Sequence, residues 1–534
     1  MKPILLTRVV NRWQQMALAR QSQIEAKRSE RPKDHSQRLG RGGGSIWQSR
    51  SLPFVTCLQL GLIILLLFSC ALFGENKTTS HLIQLEKGPL VYTATVGSLP
   101  VKNKNEKIKA EIGYTAYVKE GSETNRPLTF AFNGGPGSSS IWLHAAAFGP
   151  RRIVSSEEGQ AIASPYRMID NLETILDLTD LVFIDPIGTG FSQEATEEGA
   201  AAYYDLLGDI RSIGDFIRDY LTANNRWNSP KYIAGESYGA LRACGLADYL
   251  QDFHSIYLNG LILISSAIDY QTFVFNTDNQ ISNFLFLPTY AATAWHHGRF
   301  LQDSSIEEAV SAARRFAYET YAPAMLKSFS LNSFEKEKLF DQLSQISGIS
   351  LETVRRSKGR ITERVFKTEF FGSEQKILGM YDTRLSGDYS EENQLSFAQD
   401  PSVTALSGIV VGAFHDYLQN ELGSPGSYLS ISFDVNSAWN YSYKGQLTGY
   451  PNMMKGLRQA LIINPSLKVF AGCGYFDCVT PFAATEYCLN HLDLPDAYKA
   501  NFQIEYYEGG HMYYLNPAAR IKFKNDLIRF YQEN

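Results

Sequence analysis

The pentapeptide Gly235-Glu236-Ser237-Tyr238-Gly239 constrains this chain more than any other feature. The residues before it, Pro230 to Ala234, are short, apolar and β-prone, and Ala240 to Leu250 after it reads as a helix rich in Ala and Leu. That pattern is a strand, a sharp turn and a helix. A serine on such a turn has backbone angles that crowd any side chain two residues away. Glycines at 235 and 239 relieve the clash and leave Oγ exposed.

A serine hydroxyl is a poor nucleophile until a histidine takes its proton and an acid fixes the tautomer of that imidazole. The chain has nine histidines. His511 lies in the glycine-rich loop Gly509-Gly510-His511 after the strand-like run Phe502 to Tyr506, where a doubly wound sheet places ligand-handling loops. The acid is expected between serine and histidine in the chain, after another late strand. Leu467 to Ala471 is such a strand, and Asp477 stands in the loop that follows it. Leu128 to Phe132 is a further strand, ending in Asn133-Gly134-Gly135-Pro136-Gly137, where glycines let backbone N–H groups approach a developing oxyanion. Gly135 and Tyr238 are the expected donors. This loop has no Gly-Lys-Ser/Thr ending and no Gly-x-Gly-x-x-Gly, which argues against nucleotide binding.

In this order the fragments resemble the serine carboxypeptidase family of α/β-hydrolases. Phe148-Gly149-Pro150 and the run Asp185 to Ser192 add to the likeness, which extends from about Tyr92 to the C-terminus. The resemblance implies release of a peptide's last residue through an acyl-enzyme, without a cofactor. It also implies that Asn133, Gly134 and Glu236 bind the substrate's free carboxylate. Better-known eukaryotic members carry a second glutamate two residues before the Gly-Pro of this region, sharing a proton with the first; here Ala147 stands there. Without that neighbour, Glu236 is expected to ionise at lower pH and to bind a carboxylate less well. Ser138, where many eukaryotic relatives have a disulfide-forming cysteine, makes the chain look like a bacterial-type member.

The fold expected is a mixed, mostly parallel α/β-hydrolase sheet: a first core part at 87–268, a mainly helical lid at 269–423, and a second core part at 424–534. The lid sequence shows no clear buried strands, and its aromatic segment Thr289 to His297 reads as packing rather than substrate contact. His296-His297 alone is no metal site, and no zinc-type spacing occurs elsewhere. A net charge of −5 leaves no basic face for nucleic acid, so the partners expected are peptide substrates.

Residues 1–53 are basic and expected to be poorly ordered; the first 50 hold eleven Lys/Arg against three Asp/Glu. Residues 54–73 read as a signal sequence or a membrane anchor, with the dense apolar run Leu60 to Phe68. Cleavage after Ala71 is the favoured reading, a lipoprotein site ending at Cys70 a second and an uncleaved anchor a third. All three export the hydrolase part, to a periplasmic or other extracytoplasmic location. A later start at Met16 is the alternative beginning. Of the cysteines beyond this region, Cys473 and Cys478 bracket the Asp477 turn; free buried thiols are expected there over a bridge. The competing functions are an esterase or acyltransferase on the same machinery, and a silent, membrane-anchored binding protein.

Overall fold

In the computed structural model the described residues are 76–533, apart from 103–107, 124, 155–162, 195–201, 391–396, 425 and 442–448. The basic segment and the apolar run at 54–73 therefore lie outside them. Among the described residues no helix is long and apolar enough to cross a membrane.

Among the described residues fourteen strands occur in chain order. They are β1 (Lys77–Leu85), β2 (Gly88–Lys102), β3 (Ile108–Lys119), β4 (Leu128–Phe132), β5 (Arg151–Ile153), β6 (Met168–Asp170), β7 (Asp180–Ile184), β8 (Gln193–Glu194), β9 (Lys231–Glu236), β10 (Gly260–Ile264), β11 (Lys376–Leu378), β12 (Ser386–Asp388), β13 (Lys468–Gly474) and β14 (Phe502–Tyr507). The main sheet runs β1-β2-β3-β7-β4-β9-β10-β13-β14, with β8 paired to β3. The strands from β1 through β3 to β7 pair antiparallel, and those from β7 to β14 pair parallel. The sheet is thus mixed and mostly parallel.

Its central strands show why period 2 is hard to read in them. β4, β7, β9 and β10 are buried along their whole length, as parallel strands covered on both faces must be. Alternate residues nevertheless serve different layers. Phe130, Ile233, Leu261 and Val469 pack with helices α1 (Leu206–Ala223) and α2 (Tyr238–His254). Ala131, Tyr232, Ile262 and Phe470 face the opposite layer, with the late helices Pro401–Asn420 and Pro517–Gln532. Full burial of each such Leu, Ile or Phe stabilises the fold by about 1.5–3 kcal/mol, so this double layer is the main source of rigidity under the loops.

Residues 269–423 carry α3 (Leu287–His296), α4 (Ile306–Phe316), α5 (Ser333–Ser347), α6 (Glu363–Glu369) and α7 (Pro401–Asn420), with shorter turns between. Reciprocal capping boxes start α4 at Ser305/Glu308 and α5 at Asn332/Glu335, which fixes both N-termini. The span also holds the β11–β12 ribbon, with Ile377 and Leu378 buried. Three residues per strand are too few to display a period, so the sequence hid this buried strand. The rings of α3 pack inward: Tyr290 stacks on Phe366 at 3.9 Å and its hydroxyl donates to the Ile361 carbonyl. Later helices are α8 (Met454–Ile463), α9 (Phe482–Asn490) and α10 (Pro517–Gln532). β1 lies before the core boundary expected at 87: its residues are mostly exposed or half-buried, and it pairs with β2 across a tight turn at Glu86-Lys87.

Candidate active site

Register in the parallel sheet brings the strand ends level. Phe132 pairs with Gly235, Glu236 with Ile264, and Ile264 with Gly472, while Gly474 pairs with Tyr507. Each of these strands then releases its chain on the same edge. Asn133 follows β4, Ser237 follows β9, Ser265 follows β10, Asp477 follows β13, and His511 follows β14.

Ser237 has φ 61° and ψ −126°, a conformation costly for a residue with a side chain, and it heads α2. The turn survives because its neighbours have no Cβ: one placed at Gly235 would meet the Gly239 carbonyl oxygen at 2.2 Å. Gly134 is pressed equally hard against this turn, since a Cβ there would lie 2.5 Å from the Tyr238 nitrogen. The donor loop and the serine turn are therefore in backbone contact. The Tyr238 N–H belongs to the first residue of a 17-residue helix, whose free N–H groups and dipole favour negative charge.

Asp477 is fully buried, and donors saturate both its oxygens. Oδ1 accepts the N–H groups of Val479 at 2.8 Å and Thr480 at 2.9 Å; Oδ2 accepts the Thr480 hydroxyl at 2.7 Å and His511 Nδ1 at 2.7 Å. That bond leaves Nε2 of His511 for the cavity. Burial opposes charge on His511, but the adjacent Asp477, its hydrogen bond and Glu236 outweigh burial, and the imidazole pKa is raised. The Ser265 hydroxyl donates to the His511 carbonyl at 2.6 Å, and the Thr480 hydroxyl lies 2.9 Å from the Ser265 carbonyl.

Glu236 is buried on the other side of Ser237. Its Oε2 accepts Asn133 Nδ2 at 2.9 Å and the Tyr514 hydroxyl at 2.6 Å, while Leu143 N–H fixes the Asn133 amide through Oδ1 at 3.0 Å. Burial pushes the carboxyl up to about 7; His511 and the bonds from Tyr514 and Asn133 pull against burial, and Asp477 adds to it. This corrects the expectation drawn from Ala147. Desolvation, with a smaller contribution from the charge of Asp477, raises the carboxyl, so Glu236 resists ionisation although Ala147 offers no second carboxyl beside it.

A cavity of ≈ 370 Å³ is lined by Asn133, Gly134, Gly135, Glu236, Ser237 and His511, among others. A larger one of ≈ 1040 Å³, lined by Asp248, Asp252, Asp269 and Asp278, contains none of them, so volume alone would choose wrongly. Several residues of the site escaped sequence reasoning. Arg242 in α2, with no exposed surface, donates Nε to Asp209 Oδ2 at 2.8 Å and Nη1 to the Asn133 carbonyl at 2.8 Å, tying the serine's helix to the donor loop. The segment Met380 to Arg384 bonds the loops that carry Asp477 and His511: His511 N–H donates to the Tyr381 carbonyl at 2.6 Å, Cys478 N–H to that of Met380 at 3.0 Å, and Thr383 N–H to that of Phe476 at 3.1 Å. The Tyr381 ring also meets the His511 ring edge-on at 5.3 Å. Thr480, three residues after Asp477, and Tyr514, three after His511, had a local signal; Tyr381 had none. Cys244, Cys473, Cys478 and Cys488 are free and buried. Among the described residues no cluster of His, Cys, Asp and Glu could hold a metal ion.

The serine carboxypeptidase family profile matches residues 95–513. The chain belongs to the serine carboxypeptidase family. This carboxypeptidase-family chain is 31% identical over 153 residues to the pheromone-processing carboxypeptidase KEX1 of Yarrowia lipolytica, covering 27% of this chain and 22% of that protein. It is 25% identical over 182 residues to a carboxypeptidase Y homolog of Arthroderma benhamiae, covering 33% of each. The matched stretches thus span a third or less of these relatives. The crystal structure of Kex1(delta)p, a prohormone-processing carboxypeptidase from Saccharomyces cerevisiae, superposes with a TM-score of 0.51 at 15% identity, covering 83% of this chain and 91% of that one. That likeness shows the α/β-hydrolase fold.

Proposed function

We propose that the protein is a serine-type carboxypeptidase that removes C-terminal residues from peptides. The observation that carries this reading is the 2.7 Å bond from His511 to Asp477 at the wall of a cavity that also holds Ser237 and a buried, carboxyl-bearing pocket. Ser237 Oγ attacks the scissile carbonyl and passes its proton to His511 Nε2, while Asp477 stabilises the imidazolium. The N–H groups of Gly135 and Tyr238 receive the oxyanion. His511 then protonates the leaving amine, and water releases the acyl group by the same steps. Asn133, Gly134 and Glu236 bind the terminal carboxylate, as their place beside Ser237 supports.

Two measurements test this. Fluorophosphonate labelling that is absent in Ser237→Ala and present in wild type is expected; no Ser237-dependent labelling would favour a silent binding protein. Turnover of a peptide acid should exceed that of its C-terminal amide, and equal rates would sink carboxylate-directed cleavage in favour of a general esterase or acyltransferase. We also place the hydrolase part outside the cytoplasm, supported by the apolar run at 54–73 and the small residues that end it.

A further inference from the structure

Tyr514 sits in the short turn Tyr513–Leu515, three residues after His511, with no exposed surface. Its hydroxyl and the Asn133 amide both donate to one oxygen of Glu236, Oε2. Glu236 lines the cavity, and Oε1 is the oxygen that neither of these donors holds. An acid whose one oxygen already accepts two donors carries its proton on the other. We propose that Tyr514 is a positioning residue for substrate recognition: by occupying Oε2 it makes Oε1 the proton-bearing oxygen, aimed at one oxygen of a peptide's terminal carboxylate.

This rests on the carboxypeptidase reading and gives a role to a residue that lies three positions after His511 and belongs to none of the sequence motifs. Ala147 and its neighbours Leu143 to Phe148 are a buried, largely apolar turn that offers Glu236 no carboxyl side chain to share a proton with. The tyrosine hydroxyl supplies order in place of charge. A carboxylic acid donating to a carboxylate forms a short, charge-assisted bond, whereas two carboxylates repel. The groups acting on Glu236 are His511 and Asp477 through their charges, Tyr514 and Asn133 through hydrogen bonds, and the Tyr381 and Tyr513 hydroxyls nearby. The protonated, recognising form is present below about 7 and is lost as pH rises through it.

The test compares wild type with Tyr514→Phe in the full chain, on a blocked peptide with a free C-terminal carboxylate and on its amide. The preference for acid over amide, as the ratio of the two kcat/KM values, should fall about 5-fold, with the loss in KM rather than kcat. The alkaline limb of the acid's profile should move to higher pH, because removing a donor to the carboxylate favours its protonated form. An equal loss on both substrates with an unmoved limb would mark Tyr514 as merely structural and overturn the proposal. Wild type that shows no acid preference at all would instead sink the carboxypeptidase reading. Fluorophosphonate labelling reports whether Tyr514→Phe folds. If it does not, Glu236→Gln carries the test: the amide oxygen takes the Tyr514 bond and its NH₂ faces the cavity. Acid preference should persist there without an alkaline limb, and its loss would overturn the assignment.

Discussion

Asp477 and Glu236 are two carboxyls buried around one histidine, and they differ in how many donors reach them and on which oxygens. Asp477 receives four donors spread over both oxygens, whereas Glu236 receives two, both on one oxygen. A buried carboxyl with every lone-pair direction used has nothing to offer a ligand; it can only orient what already holds it. One with a free oxygen and too few donors keeps its proton and can present it. The lesson is that burial alone does not assign a role to an acid, and the distribution of donors between its oxygens does.

The comparison breaks most visibly at the Asp477 end. Asp477→Asn should lower kcat about 10⁴-fold through the wrong histidine tautomer, with the acid-over-amide preference intact; steady-state kinetics on both substrates would show a changed preference if the two ends were coupled. Next in size is the tie between the serine's helix and the Asn133 loop that holds Glu236. Arg242→Met leaves Asp209 buried without its cation, holding the Tyr238 hydroxyl at 3.2 Å, and should cost about 3–5 kcal/mol in denaturant unfolding. A loss well below 1 kcal/mol would mean the buried pair is dispensable. The Glu236 end is sharpened by pH: kcat/KM for a peptide acid should fall by roughly tenfold per pH unit above about 7, because the raised carboxyl deprotonates there. The amide should lack that limb, and a shared limb would assign it to another group. Smallest is Thr480→Val, which removes one of the four Asp477 donors and should cost about 1 kcal/mol in stability and a few-fold in kcat. A drop as large as that of Asp477→Asn would show that the Thr480 hydroxyl, not the carboxylate, governs the histidine.

What was legible in the sequence was what lies next to a strand end. Ser237, Asp477, His511 and Asn133 each follow an apolar, β-prone run, and parallel pairing then brings those ends together without further instruction. Contacts made by side chains from distant elements left no such mark. Tyr381 reaches His511 from the inserted span, 130 residues away in the chain, and Arg242 reads as an ordinary helix residue until its layer is seen to be buried on all sides. The misjudged acidity of Glu236 has the same origin. Ala147 is visible in the sequence and the absence of a partner can be read from it, but desolvation is a property of everything packed around a group.

The segment Met380 to Arg384 gives the insertion a second identity. It lies between the acid's loop and the histidine's loop and accepts or donates backbone bonds to both, so it behaves as mortar in the catalytic wall rather than as part of a cover laid over it. Anyone reshaping specificity by exchanging the helical insert must therefore keep this stretch in place, and graft new helices on either side of it. Exchanging the whole of residues 269–423 would loosen the His511 loop along with the pocket.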